Sequence, residues 1–257
     1  MAFLPEKPMA SVLVAAQCAV RAGDLEANLA THKVFMQHAA ESGARLLVFP
    51  ELSLTGYEPT LARDLAQTPE SALFDPLRRL AREAGMTTVV GVPLRVPGRD
   101  KPQIAACILQ ADGALAFYTK QYLHGGEERF FSPGQGGELL PVGDQLVALS
   151  VCADFSHADH PARAAAGGAR VYATSVLIGE GGYEHDSALL LGHAQRHGMA
   201  VLMANHGGPT GGWAAAGRSA FWDEQGHCVA QVGGAGNRLL IVAGQPRDWC
   251  GREVVLG

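Results

Sequence analysis

Short apolar runs alternate along this chain with longer segments whose apolar positions recur at helical spacing. Ser11–Ala16 reads as a buried strand. Asp24 is placed to N-cap a helix through about Ser42, with Leu25, Leu29 and Phe35 on one side and Gly43 as its stop. Arg45–Phe49 is the next strand, a helix over about Ser71–Ala84 ends at Gly85, and Thr87–Val92 follows as a strand. Gln103–Gln110 and Leu115–Thr119 read as a hairpin around the turn Ala111-Asp112-Gly113-Ala114.

The second half repeats this grammar. Strand Leu146–Val151 leads to an Ala-rich helix around Pro161–Ala166, stopped by Gly167-Gly168. Val171–Thr174 is a strand, Asp186–His197 a helix capped by Gly198, and Ala200–Ala204 another strand. A glycine-rich loop from His206 to Gly217 enters a terminal meander of Arg218–Trp222, His227–Val232 and Asn237–Val242, with turn residues Asp223 to Gly226 between the first two. Parallel β-α units mixed with hairpins place the chain in the α/β class, with mixed sheets flanked by helices. No linker, low-complexity tract or true repeat interrupts the 257 residues, so one domain over 1–257 is expected.

Composition narrows the function. The formal net charge is -5 with acids and bases scattered, which offers no footprint for nucleic acid or anionic lipid. No uncharged apolar segment is long enough to span a bilayer. The apolar stretch Met9 to Val20 lacks a basic lead and reads as a first core strand rather than a signal peptide. The five cysteines, Cys18, Cys107, Cys152, Cys228 and Cys250, are odd in number and widely spaced. They form no C-x-x-C pair for zinc or redox work and suit a reducing, cytoplasmic setting.

Three of the strand-like runs end on chemistry. Leu46–Phe49 runs into Pro50-Glu51, Leu115–Thr119 into Lys120, and Leu146–Val151 into Cys152, with Glu127 following Lys120 in Gly125-Gly126-Glu127. Strand-to-loop junctions are where α/β proteins place reactive groups. A thiol attacks as its thiolate, favoured by a nearby cation, an adjacent base or a helix N-terminus. Lys120 supplies the cation and Glu51 the base; the stretch after Asp154 is a candidate helix start. Glu51 can return the thiol proton to a departing amine, while Lys120 and the Ala153 N–H can hold an oxyanion. Glu127 can orient Lys120. No metal or organic cofactor is required.

In order and spacing these residues resemble the motifs of the carbon–nitrogen hydrolase (nitrilase) superfamily. The first is Leu47 to Tyr57, the second Lys120 to Leu123 continuing through Glu127 to Ser132-Pro133-Gly134, and the third Ser150 to Asp154. The stretch from Gly217 to Gly226 resembles the family's late strands and turn. The resemblance implies a four-layer α-β-β-α sandwich paired into a homodimer or larger oligomer, and hydrolysis of non-peptide C–N bonds. It also implies Glu51 as general base, Lys120 as stabiliser of the tetrahedral intermediate, Glu127 as a second glutamate and Cys152 as carrier of the acyl group. Two departures fall in the expected pocket. Phe155-Ser156-His157-Ala158-Asp159-His160 replaces a run with a basic residue and an aromatic-Pro-Glu sequence, and Leu177 stands near where members often place Asn.

Other features carry bland readings beside sharper ones. His157 with His160, and His193 with His197, have ligand-like spacing but no acidic third ligand, so they read as structural histidines. Tyr57, Ser175 and Leu177 are candidate pocket residues; Trp213 in the glycine-rich loop and Glu180 or Tyr183 in the loop before the last helix are further contacts to test. The expected activity is cofactor-independent cleavage of a small amide, amidase or ω-amidase in kind. The alternatives are a nitrilase or carbamoyl-amine hydrolase, an acyltransferase, and a non-catalytic binding paralogue.

Overall fold

The computed structural model describes residues 11–257; Met9 and Ala10, at the start of the first apolar stretch, lie outside the described residues. Two sheets face each other. The first has seven strands in the order β13-β12-β1-β2-β3-β4-β5, from β1 (Ser11–Gln17), β2 (Leu46–Val48), β3 (Thr87–Leu94), β4 (Gln103–Leu109), β5 (Leu115–Thr119), β12 (Arg238–Gln245) and β13 (Asp248–Val255). The second has six, ordered β11-β10-β9-β8-β7-β6, from β6 (Leu140–Val142), β7 (Gln145–Val151), β8 (Val171–Val176), β9 (Ala200–Asn205), β10 (Ala220–Trp222) and β11 (Cys228–Gln231). Parallel pairing joins β1, β2 and β3 in one sheet and β7, β8 and β9 in the other, while the flanking strands are antiparallel.

Three apolar layers hold this arrangement together. Leu13, Val48 and Val89 of the first sheet meet Val147, Leu149 and Leu202 of the second between the sheets. On the outer face of the first sheet, Val14, Leu47 and Val90 pack with Phe35 and Met36 of α1 (Leu25–Glu41) and Leu77 and Ala81 of α3 (Asp75–Ala84), beyond the single-turn α2 (Ala62–Leu65). Outside the second sheet, Tyr172, Val201 and Met203 pack with Ala164 of α4 (Asp159–Ala166) and Leu190 and Ala194 of α5 (Tyr183–His197). The central strands are apolar on both faces because a layer covers each, as parallel strands require. This is the four-layer α-β-β-α sandwich that the family resemblance implies.

Most element boundaries fall within a few residues of expectation. The Asp24 side chain accepts the N–H of Ala27 and caps α1; Gly85 and Gly198 end α3 and α5 in the left-handed conformation. Differences have local causes. The helix expected from Ser71 opens with a 3-10 turn, Ala72–Phe74, because Pro76 enters only at the start of α3. Strands β6 and β13 escaped the pattern: β6 is three residues broken by Pro141, and most of β13 is solvent-exposed, so neither shows an apolar run.

Gly91 sits inside β3 for a specific reason. A Cβ there would lie 2.2 Å from the Leu52 nitrogen and 2.6 Å from the Pro50 carbonyl oxygen. Only a bare backbone lets the Pro50–Leu52 turn lie against the strand. The Gly91→Ala variant is expected to lose about 1–3 kcal/mol of stability through overpacking, read by urea unfolding, and to lose activity because Glu51 rides on the displaced turn.

Candidate active site

Glu51, Lys120, Glu127 and Cys152 come from both sheets and meet beneath one cavity. Lys120 follows β5 and is fully buried; its Nζ donates to Glu51 Oε1 at 2.7 Å and to Glu127 Oε1 at 2.8 Å. Burial opposes the Lys120 charge, but the Glu51 and Glu127 carboxylates and Cys152 outweigh it and hold the ammonium well above its usual range. Two of its three N–H donors are thereby used and one is left.

Several contacts fix Glu51. Its backbone carbonyl accepts from His206 Nε2 at 2.7 Å. A carbonyl only accepts, so Nε2 carries the proton, and burial keeps this imidazole neutral with a pKa lowered to about 4. Ser53 Oγ accepts the Gly91 N–H at 3.1 Å and lies 2.9 Å from His32 Nε2, whose Nδ1 is 2.7 Å from the Asn28 carbonyl. The turn also holds Leu52 at a positive φ of 51°. Glu51 Oε2 is buried with no hydrogen-bond partner among the described residues. Burial first, and Glu127 after it, push the Glu51 carboxyl up to about 7 against the pull of Lys120.

Cys152 ends β7 at a positive φ of 45° and opens a 3-10 turn, Cys152–Ser156, not an α-helix. A non-glycine residue held there is strained, and such strain gathers at functional positions. The Ala153 N–H, in the first turn, has no partner within the turn. Burial and the adjacent Glu51 carboxylate raise the Cys152 thiol well above its ordinary range, and Lys120 offsets only part of that. The resting sulfur is therefore a protonated thiol beside a base, rather than the standing thiolate that a nearby cation suggested.

Asp154 ties the Lys120 and Cys152 loops together. Oδ1 accepts the N–H groups of Gln121 and Tyr122, both at 2.9 Å, and Oδ2 accepts Val151 N at 3.0 Å and the Tyr118 hydroxyl at 2.7 Å. Tyr118 spends its proton on Asp154, so its oxygen accepts from His160 Nε2 at 2.7 Å; His160 Nδ1 then accepts the Tyr172 hydroxyl at 2.8 Å. His160 is thus a buried hydrogen-bond relay. His193 similarly meets the Phe155 carbonyl at 2.7 Å, and the described residues hold no cluster of metal-ligating side chains. His157 stacks on Tyr122 with ring centroids 3.8 Å apart.

The cavity above the four residues has a volume of about 590 Å³. Glu51, Glu127, Cys152, Ala153, Tyr57 and Leu177 all line it, as do Glu180 and Trp213. The Tyr57 hydroxyl donates to Glu127 Oε1 at 2.7 Å, and His124 N–H donates to Glu127 Oε2 at 2.8 Å. Two expected contacts lie elsewhere. Ser175 is buried within β8, paired with Val151 and Ala204, and does not line the cavity. Tyr183 is buried with its hydroxyl on the Arg218 carbonyl. Sequence reading missed Asn205, whose side chain bonds Ile178 N and O at 2.9 and 3.0 Å and braces the wall after Leu177. Asn205 and His206 sit where β9 meets a glycine-rich loop, the junction signal that found the other site residues.

Removing the Tyr118 hydroxyl tests the brace. Tyr118→Phe withdraws a donor from a buried carboxylate and is expected to cost about 1–3 kcal/mol in chemical unfolding. Steady-state kinetics should show a lower kcat with KM little changed, because the loops it ties carry the reacting groups rather than the cavity wall.

A family model for carbon-nitrogen hydrolases matches residues 13–249. Among solved structures, the amidase from Nesterenkonia sp. AN1, in a double mutant bound to acrylamide, superposes with a TM-score of 0.84 at 27% identity, covering 96% of this chain and 94% of that one. The same amidase with the acetamide moiety of fluoroacetamide added covalently at its active-site cysteine also gives 0.84, at 28% identity, covering 96% and 94%. Sequence relatives include a hydrolase from Mycobacterium tuberculosis, 29% identical over 68% of this chain and 65% of its own length. The glutamine-dependent NAD(+) synthetase of Thermotoga maritima is 30% identical over 52% of this chain. The chain thus spans less than two thirds of these relatives, and only 24% of the synthetase. With the sandwich fold and a match across nearly its whole length, the chain belongs to the carbon–nitrogen hydrolase family, as an amidase-like member of the nitrilase superfamily.

Proposed function

We propose that the protein hydrolyses a small amide through a thioester on Cys152, with Glu51 as the base and acid. The observation that carries this reading is the unpartnered, buried Oε2 of Glu51 in the same cavity as the Cys152 thiol. Glu51 takes the thiol proton as sulfur attacks the carbonyl carbon. The oxyanion is held by the remaining Lys120 N–H and the Ala153 N–H, donors fixed in advance of the reaction. Collapse of the intermediate expels the amine, which receives the proton from Glu51. The emptied carboxylate then takes a proton from water, whose oxygen attacks the thioester; collapse breaks the C–S bond, releases the acid and returns the proton from Glu51 to the Cys152 sulfur. Glu127 keeps Lys120 in place throughout.

The cavity lining is mainly apolar, which fits a short acyl chain whose reacting end lies at Cys152. The amidase relatives from Nesterenkonia, crystallised with acrylamide and with butyramide, support an amide as the substrate. A cytoplasmic location and pairing into a homodimer remain expectations of the family resemblance; no helix among the described residues is long and apolar enough to cross a membrane.

The test is ammonia release from a panel of short amides, nitriles and carbamoyl amines. Cys152→Ala should lower turnover of the preferred amide at least about a thousandfold while its circular dichroism stays that of the wild type. Near-native turnover in Cys152→Ala would end the thioester mechanism, and release from nitriles alone would replace the amidase reading with a nitrilase.

A further inference from the structure

One wall of the cavity carries charge that the Glu51–Lys120–Cys152 centre does not use. Asp186, in the first turn of α5, lines that wall and is only partly exposed. Its surroundings include His124 and His185 but no hydrogen-bond donor or cation paired with it among the described residues, and burial raises its carboxyl above the usual range. The neighbouring acid is different: Glu180 is already paired with Arg218, Nη2 to Oε2 at 2.7 Å. Among the described residues no Lys or Arg side chain lines the cavity, and the Lys120 ammonium beneath it is shared by Glu51 and Glu127.

A helix N-terminus favours acidic residues, but on α5 the exposed Glu184 already fills that role in the same turn. Asp186 lines the largely apolar cavity, half-buried and with no cation paired to it among the described residues, so a cationic group placed there would offset its charge. Trp213 adds an aromatic face, lining the same cavity with its ring 6.4 Å from that of His124, and aromatic faces attract ammonium groups.

We propose that the amide substrate carries an ammonium group at the end of its acyl chain, seated by Asp186 and Trp213 while the amide carbon lies at Cys152. This rests on the amide-hydrolase reading and deepens it. It also sets the site apart from ω-amidases in the usual sense, since a carboxylate tail would meet Asp186 with no cation to receive it.

Three amides of matched length test the assignment: δ-aminovaleramide, hexanamide and glutaramate. The expected order of kcat/KM is aminovaleramide above hexanamide by about tenfold or more, with glutaramate lowest. Asp186→Asn should bring the aminovaleramide-to-hexanamide ratio close to one. A wild-type ratio of one or less, or a high ratio untouched by Asp186→Asn, would overturn the proposal while leaving amide hydrolysis standing. If none of the three is cleaved, amide hydrolysis is what fails. Calorimetric binding to Cys152→Ala then decides the charge preference separately: tighter binding of aminovaleramide than hexanamide supports it, and equal or weaker binding overturns it.

Discussion

The rest of the site depends on one buried ammonium held between two carboxylates. Lys120 bridges Glu51 and Glu127 where solvent does not reach. Taking such charges out of water costs several kcal/mol per ion, and removing one partner leaves the others uncompensated at a cost of about 3–5 kcal/mol. The trio is therefore not a stabilising device. Burial first, and the second carboxylate after it, outweigh the pull of Lys120, so Glu51 keeps a proton up to about pH 7. The unfolded chain would release that proton near 4.5, so this group alone takes stability away as pH rises between those two values.

Much of the fold serves to hold that arrangement open. β5 delivers Lys120 from one sheet and β7 delivers Cys152 from the other, and Asp154 bonds backbone groups on both loops. Gly91 admits the Glu51 turn against β3, and His206 holds it from β9's end. Neutral imidazoles do this work, with His32 and His206 both lowered to about 4 by burial. Positioning groups that do not titrate near neutrality leave Glu51 as the group whose protonation changes with the task.

The mixed sheets and their helices were legible because the central strands are buried on both faces and so read as unbroken apolar runs, and because Gly85 and Gly198 mark helix ends; the four-layer stacking came from the family resemblance. Glu51, Lys120 and Cys152 were legible because each follows a strand-like run, and Glu127 through its place in the second family motif. What the sequence hid was contact between distant segments: that Ser175 lies within β8 rather than in the cavity, and that Asn205 braces the wall after Leu177. The cation beside Cys152 pointed to a low thiol pKa; in the folded protein, burial and Glu51 outweigh Lys120 and reverse that direction. Net effects of opposing charges depend on depth and distance, which spacing along a chain does not encode.

The account stands on proton transfer from a neutral Cys152 thiol to an ionised Glu51. Its most direct test is the pH dependence of the acylation rate, measured in single turnovers with the enzyme in excess over an amide. Glu51 must be unprotonated to accept, so the rate should level off above about 7 and fall about tenfold per pH unit below it. A rate flat from pH 5.5 to 7.5, or rising only near the ordinary thiol value of about 8.5, would contradict Glu51 as the base.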